Sequence, residues 1–437
     1  MAAACWRILL FGLVLFCLQL RPATVAGQSG GTSDYLFYYV ADDGLYLRDA
    51  AGTNTRLGIL PSTSRLSDNT ISPDGRHLLA WGRVALTADL NGRNQIVLSE
   101  GVDMAIWSPD SQRVALLLED ADIVQTYTMD GIPEQEITLG LNGRSVIDMD
   151  WGTSGIAIAT SDGLYLVDTD TAQVRVGFDG GRMGYVDWVP DGERLLFVRL
   201  SNSAESGWLA VFSNRSVNLL DVFDETIEMT PIVRSNRGIL SGLGPGRARW
   251  SPDGTRFAFI GFPVETDDSF GQALFVVDTD VLEGRVVYST DSAAGPFLRE
   301  LAWSPDGASI AVTAFGFDSS AAIIDVAAET GDATEAGIAS DHYSAPVWRA
   351  VPDDVIVAIT EATCFAMATT GTNLRRTPTA DGFVEASLAT SESIQIDAQA
   401  ENESATWYHS VNNLWLRADI VTLEGDCNGL PTDFAPD

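Results

Sequence analysis

The chain alternates short apolar runs with clusters of turn residues over most of its length. Runs such as the five residues starting at Arg113 or at Arg256 are too short for typical helices and read as buried strands. The segments starting at Gly44 and Gly163 have nearly the same pattern, an apolar alternation, an Asp-containing turn and a second strand. This pattern predicts an all-β chain built from hairpins.

A turn motif repeats before the buried strands. Each copy is an aromatic or apolar residue followed by Ser-Pro-Asp-Gly or a variant of it, a sequence that suits a type I turn because Pro presets φ and Gly closes the turn. The copies start at Ile71, Trp107, Trp151, Trp188, Trp250, Trp303 and Trp348. Successive copies lie 36 to 62 residues apart. A repeat of this kind predicts one repetitive fold rather than several unrelated domains.

Two hairpins per repeat make four antiparallel strands, which is the blade of a β-propeller. Residues 35–60 supply about three strands without a preceding turn motif, and residues 380–424 supply strands after the last copy. If both ends share one blade, the ring closes without exposed strand edges. We therefore expect eight blades of four strands, with seven as the alternative.

The repeated Ser-Pro-Asp-Gly turn, the apolar strand and the Asp-containing hairpin resemble those of the TolB-like β-propellers, whose repeats are WD40-like. The resemblance covers residues of about 35 to 430. It implies an exported propeller that binds another protein or a peptide in the cell envelope or outside the cell. The helical N-terminal domain of TolB has no counterpart here, so the partners of TolB are not carried over.

The first 26 residues have the layout of a secretory signal peptide. Arg7 provides the positive charge, residues 8–20 are apolar, and small residues at 23–26 suit cleavage. We expect a signal peptide at 1–26, a linker at 27–34, a single propeller at 35–430 and a tail at 431–437. The protein would then be periplasmic, on the cell surface or secreted, and an uncleaved N-terminal anchor is the alternative.

Charge and cysteine content narrow the function further. The 26 basic residues are all arginine, 60 residues are acidic, and the net charge is −34. Without lysine the chain has neither a Walker-type phosphate loop nor Schiff-base chemistry, and its acidity argues against nucleic acid or an anionic membrane surface as partner.

Outside the signal peptide only Cys364 and Cys427 remain, and in an oxidising compartment they predict a disulfide, with two buried thiols as the alternative. That bond would lock the closure of the ring.

Candidate site residues lie on the strand before each tryptophan, which in a propeller is nearest the central channel. Charged residues occupy this strand in four successive repeats. They are Asp148, Asp150, Asp187, Arg247, Arg249 and Glu300. If they point into the channel, they form a polar cluster that could hold a cation or a charged peptide end. The alternative is ion pairing between neighbouring blades, for example Asp187 with Arg249.

Metal and catalytic motifs are weak. Two Asp-x-Asp pairs could offer oxygen ligands to calcium, although Asp is also expected at such turns for backbone hydrogen bonding. These weak candidates are Asp168 with Asp170 and Asp278 with Asp280. The three histidines are not spaced as metal ligands, and no strand-to-helix nucleophile elbow of the Gly-x-Ser-x-Gly type is predicted. The sequence favours a binding scaffold without a cofactor, and the alternative is a metal-dependent enzyme of the lactonase or sugar-dehydrogenase type with carboxylates in the channel. The segment of about 214 to 247 reads as a rim insertion where a partner could bind.

Overall fold

The fold is almost entirely β. The computed structural model describes residues 31–40, 44–58, 64–65, 70–119, 122–179, 182–200, 215–221, 230–235, 248–261, 272–280, 283–290, 296–316, 321–337, 345–361, 363–402 and 405–432. The expected signal peptide, most of the linker, Arg247 and most of the rim insertion lie outside these ranges. Within the described ranges no helix is long and apolar enough to cross a membrane.

Seven four-stranded antiparallel sheets, named blades 1 to 7, make up the larger part of the fold. Blade 1 contains β28 (Val347–Pro352), β1 (Thr32–Val40), β2 (Gly44–Arg48) and β3 (Asn54–Gly58); blade 2 contains β4 (Ser64–Arg65), β5 (His77–Gly82), β6 (Val84–Asp89) and β7 (Ile96–Glu100). Blade 3 contains β8 (Val102–Trp107), β9 (Arg113–Leu118), β10 (Ile123–Thr128) and β11 (Pro133–Thr138); blade 4 contains β12 (Val146–Gly152), β13 (Gly155–Thr160), β14 (Gly163–Asp168) and β15 (Gln173–Asp179). Blade 5 contains β16 (Arg182–Trp188), β17 (Arg194–Leu200), β18 (Arg215–Asp221) and β19 (Thr230–Ser235). Blade 6 contains β20 (Arg249–Trp250), β21 (Arg256–Gly261), β22 (Ala273–Asp278) and β23 (Glu283–Ser289); blade 7 contains β24 (Phe297–Trp303), β25 (Ser309–Phe315), β26 (Ala321–Ala327) and β27 (Ala333–Glu335).

The blades form a closed ring because each one shares an apolar cluster with the next. The last contact joins blade 7 to blade 1, where Ala311 and Ile323 pack with Leu36 and Tyr38. Trp107, Trp151, Trp188, Trp250 and Trp303 are all at least 93% buried in these clusters. The all-β propeller of four-stranded blades is thus confirmed, and the expectation of eight blades is wrong, since the ring contains seven four-stranded sheets.

Blade 1 explains the miscount. Its first strand is β28, which pairs with β1 through Trp348 opposite Leu36 and Val347 opposite Phe37. The two ends of the ring do share a blade, but the C-terminal contribution comes from the seventh turn-motif copy and not from residues 380–424. The N-terminal strands therefore complete an existing repeat instead of adding one.

The turn motif has the same hydrogen bonds in several blades. In blade 6 the Ser251 hydroxyl donates to Asp253 at 2.6 Å and accepts from the backbone N–H of Arg256 at 3.0 Å. The Asp253 carboxylate also accepts from the N–H of Thr255 at 3.1 Å. Equivalent bonds occur at Ser72, Ser108 and Ser304. In these four turns, Ser and Asp therefore supply side-chain hydrogen bonds inside the turn.

An arginine that follows the turn stacks on the tryptophan of the next blade. Arg256 lies 5.2 Å from the ring centre of Trp303, and Arg113 lies at the same distance from Trp151. Arg194 makes the equivalent contact with Trp250 at 5.8 Å. A planar guanidinium over an indole face is a favourable cation–π geometry, so these contacts hold adjacent blades together.

The residues after β28 form a separate structure. Helix α1 (Asp353–Glu361) follows β28 and leads into a seven-stranded sheet, here called the C-terminal sheet. Its strands, in spatial order, are β31 (Val384–Leu388), β30 (Thr372–Arg375), β34 (Leu414–Arg417), β33 (Ala405–Ser410), β32 (Ser393–Asn402), β29 (Cys364–Ala368) and β35 (Val421–Gly425), with a 3₁₀ helix at Ala418–Ile420. The expected single propeller to residue 430 thus differs from the structure, in which the ring ends at β28. The sequence pattern misled because alternating strands look alike in a blade and in any other antiparallel sheet.

The disulfide belongs to this C-terminal sheet. Cys364 and Cys427 are bonded at 2.00 Å, which confirms the predicted pair. The expected role in closing the ring is wrong, because the bond holds the segment after β35 to the start of β29. That segment, residues 426–432, is called the strap.

The strap and β32 attach the C-terminal sheet to the propeller. Arg93, which is 6% exposed, donates to the backbone oxygens of Asp426 at 2.9 Å and Asn428 at 3.2 Å. The N–H of Asn94 donates to Gly429 at 3.0 Å, and Arg56 of blade 1 forms an ion pair with Asp397 of β32. Contacts with both blade 1 and blade 2 orient the sheet against the ring.

Candidate binding site on the first strands of the blades

The first strands of successive blades contact one another, as expected for strands around the axis of the ring. A cavity of about 220 Å³ opens among them and is lined by residues from five blades. Its charged lining residues are Asp150, Asp187, Arg249 and Arg349. Trp250, Trp303 and Trp348 complete much of its wall. Of the six candidate channel residues, three line this cavity: Asp150, Asp187 and Arg249.

Asp150 and Asp187 occupy the same position in blades 4 and 5, directly before the turn-motif tryptophan of each repeat. Asp150 accepts the backbone N–H of Trp188 at 2.7 Å, and Asp187 accepts that of Trp250 at 2.7 Å. Each carboxylate thus satisfies a backbone donor of the following blade, which an apolar side chain would leave without this acceptor. Both residues line the cavity and also join neighbouring blades.

Arg249 is the next member of the series, in blade 6. Its guanidinium donates to Asp187 at 2.6 Å, with the side chains only 11% and 16% exposed. The ion pair considered in the sequence as an alternative to a ligand site is therefore present. Burial lowers the pKa of Arg249 to about 10; the charge of Glu300 opposes this shift and that of Arg349 adds to it.

The remaining predicted site residues have different surroundings. Asp148 is 3% exposed and accepts the N–H of Val186 at 3.2 Å, so it lies in the wall between blades 4 and 5. Glu300 is half-buried and acts on Arg249 through its charge, but it does not line the cavity. Arg247 lies outside the described residues.

Arg349 lines the cavity and was missed by the sequence interpretation. It donates through Nε to the carbonyl of Ile71 at 3.2 Å and through Nη1 to that of Trp348 at 2.9 Å. Burial lowers its pKa to about 10, against the opposing charge of Asp150. Aligning the repeats on Pro-Asp instead of on tryptophan would have found it, because Arg349 precedes Pro352 by three residues, as Asp187 precedes Pro190.

In both Asp-x-Asp pairs the first carboxylate accepts backbone hydrogen bonds within its own turn. Asp168 accepts hydrogen bonds from the N–H groups of Asp170 at 2.9 Å and Thr171 at 3.0 Å. These bonds lower the pKa of Asp168, and the bond from Thr171 has the larger effect. Asp278 accepts the N–H of Asp280 at 2.9 Å. Across the described ranges, no three His, Cys, Asp or Glu side chains are grouped so that they could hold a metal ion.

A second cavity, of about 360 Å³, lies where the propeller meets the C-terminal sheet. Its polar lining includes Arg56, Arg93 and Asp397. Asp397 also contacts Nδ1 of His409 at 2.7 Å, and His409 packs edge-on against Trp415. Nothing in the repeat pattern pointed to this junction, because its members belong to structures that the sequence interpretation had joined into one propeller.

Comparison with known proteins supports the fold and leaves the activity open. No protein-family model matches the chain, and no curated protein matches it. Among solved structures, the periplasmic gluconolactonase of Pseudomonas aeruginosa has a TM-score of 0.50 at 15% identity, over 73% of this chain and all of the other. TolB from Acinetobacter baumannii has a TM-score of 0.43 at 13% identity, and the match covers 72% of this chain and 66% of TolB. This chain thus spans just under two thirds of the length of that TolB. A protein from Lactobacillus plantarum has a TM-score of 0.48 at 14% identity, over 73% and 99% of the two chains. At these identities the likeness is one of fold: the chain is a β-propeller whose structural neighbours include both TolB and a lactonase.

Proposed function

We propose that this chain is an extracytoplasmic propeller that binds a protein or peptide and contacts it at the mouth of the cavity on the blade axis. The observation that carries the proposal is the convergence of Asp150, Asp187, Arg249 and Arg349 on one cavity from four blades. Charged groups in a partly buried cavity give a partner both orientation and specificity. The disulfide supports residence in an oxidising compartment, where such bonds persist.

The arrangement suits a binding site because the charged groups are already held by the fold. Asp150 and Asp187 each accept a backbone N–H of the next blade, and Asp187 is also paired with Arg249. These bonds fix the direction of the side chains before any partner arrives, which lowers the ordering cost of association. No observation among the described residues favours the metal-dependent enzyme over the binding scaffold.

The test is affinity capture with a blocked cavity. Ala302 of blade 7 lines the cavity, so Ala302→Leu should fill it, whereas Ala333→Leu adds the same side chain to the exposed outermost strand of the same blade. We expect at least one envelope or extracellular protein to be captured by the native chain and by Ala333→Leu, and to be lost with Ala302→Leu. Equal capture by all three chains, or by none, would contradict the proposal.

A melting experiment separates the enzyme alternative. A metal ion that binds only the folded state must raise the melting temperature. The binding scaffold predicts the same melting temperature with calcium and with chelator, and a rise of several degrees that Asp150→Asn removes would favour the metal-dependent enzyme instead.

A further inference from the structure

The charged residues of the cavity follow the order of the blades. On the first strands, the residue directly before the turn-motif tryptophan is Asp150 in blade 4, Asp187 in blade 5, Arg249 in blade 6 and Ala302 in blade 7, and in blade 1 Arg349 lies at the same distance from the turn proline, Pro352. All five line the cavity. In the order of the blades, two carboxylates are followed by two arginines on either side of the methyl group of Ala302, and Asp187 is paired with Arg249.

Ala302 leaves room between the two arginines. Every other member of this set has a side chain of four or more heavy atoms, so the short side chain of blade 7 creates a notch bounded by Arg249 and Arg349. Trp303 and Trp348 also line the cavity at these blades and provide indole rings to its wall. A notch with a guanidinium on each side has the geometry that suits an anion.

The hydrogen bonds of the two arginines direct them before a ligand binds. Arg349 donates to two carbonyl oxygens, of Ile71 and Trp348, and Arg249 donates to Asp187 and, at 3.4 Å, to the carbonyl of Val186. A guanidinium has five N–H donors in a rigid plane, so these bonds set its orientation. The charge of Glu300 favours the charged form of Arg249 and that of Arg349 disfavours it, and an anion placed between the two arginines would relieve the second effect.

We propose that the notch between Arg249 and Arg349 binds a carboxylate, supplied either by the C-terminus of a peptide or by a small organic acid. This inference rests on the proposed binding function and names the group that enters the cavity. A carboxylate fits better than a phosphate dianion because the carboxylates of Asp150 and Asp187 line the same cavity and disfavour a second negative charge. At about 220 Å³ the cavity is smaller than the roughly 300–1,000 Å³ of typical small-molecule sites, so it suits the end of a chain better than a folded segment.

The experiment measures binding of four probes to the purified chain by calorimetry. The probes are acetyl-Ala-Ala-Ala with a free carboxylate, the same peptide as its C-terminal amide, acetate, and inorganic phosphate. We expect the peptide acid to bind about tenfold or more tightly than the amide, since hydrogen bonds to a charged group are lost with the amide. Acetate that competes with the peptide acid at similar affinity would indicate a small organic acid as ligand, and acetate that binds much more weakly would indicate a peptide C-terminus; both support a carboxylate site.

Two variants make the result specific to the notch. Ala302→Leu should abolish binding of the acid by filling the space, and Arg349→Met should weaken it about tenfold or more by removing one guanidinium. Ala333→Leu should bind the acid like the native chain. Equal binding of acid and amide, tighter binding of phosphate than of the peptide acid, or acid binding that survives Ala302→Leu would overturn the inference. Because these probes need no natural partner, failed capture of a protein would count against the proposed function without deciding on the carboxylate site.

Discussion

Asp187 of blade 5 and Arg249 of blade 6 form an ion pair of 2.6 Å. The Asp187 carboxylate also accepts a hydrogen bond from the backbone N–H of Trp250, so it joins the two blades through two bonds. Removing one partner of a buried pair leaves the other charge without compensation, which typically costs about 3–5 kcal/mol. We expect Asp187→Ala to lower the free energy of unfolding by about that amount, measured by urea denaturation.

The matched control is an exposed ion pair. Arg376 and Glu385 are 65% and 42% exposed, so Glu385→Ala should change the unfolding free energy by about 1 kcal/mol or less. A double variant with Asp187→Asn and Arg249→Met should recover part of the loss, because no buried charge is then left alone. A similar small effect of Asp187→Ala and Glu385→Ala would show that the inter-blade pair is not important for stability.

The turn motif predicts a loss of stability in acid. The hydroxyl of Ser251 lowers the pKa of Asp253, and the hydroxyl of Ser304 lowers that of Asp306. A carboxyl whose folded-state pKa is below the unfolded value near 3.8 stabilises the fold above that value and loses this contribution as the pH falls through the folded-state pKa. We expect the melting temperature to drop below about pH 4. The drop should be smaller in Asp253→Asn, and an unchanged pH profile for that variant would contradict the assignment.

The stacking of arginine on tryptophan predicts that lysine is a poor replacement. Arg113 lies over Trp151 at 5.2 Å, and lysine lacks the planar group that makes this contact. We expect Arg113→Lys to cost about 0.5–1 kcal/mol in urea denaturation. The same exchange at the exposed Arg83 is the control and should cost less; equal effects would indicate that the indole contact contributes nothing.

The contact between Arg93 of blade 2 and the strap predicts a local change when this arginine is removed. Arg93 is nearly buried and donates to the carbonyls of Asp426 and Asn428. In Arg93→Gln we expect faster amide hydrogen exchange in residues 426–432 while the blades keep their protection. The exposed Arg83→Gln in the same blade is the control, and strap protection that stays native in Arg93→Gln would rule out this attachment.

Much of the propeller could be predicted because its turns have a local chemical cause. Ser, Pro, Asp and Gly each have a role within four residues, so the motif is readable without knowledge of the fold. The blade count was harder, because it depends on β28 pairing with β1, a contact between distant parts of the chain. The C-terminal sheet was missed for the same reason: alternation shows that a strand is half-buried, but not which strand it joins.

The candidate site was only partly predictable. Asp150, Asp187 and Arg249 follow from their place before a tryptophan, whereas Arg349 follows only when the seventh repeat is aligned on Pro352. Trp348 stands two residues earlier than the other tryptophans relative to Pro-Asp, and that shift hid the arginine. Ala302 has no chemical signal of its own, since its importance is the space between two larger neighbours.

The pairing of β1 with β28 has a consequence for the order of events during synthesis. Phe37 pairs with Val347, which is synthesised about 310 residues later. At a synthesis rate of about 5–20 residues per second, the interval between the two residues is roughly 15–60 s. During this time the edge of β1, with its apolar Tyr-Leu-Phe-Tyr-Tyr-Val sequence, has no native partner on the β28 side and offers unpaired backbone groups to any other strand. Until the last strand of the ring has been synthesised, this edge of β1 can therefore pair with strands of neighbouring chains.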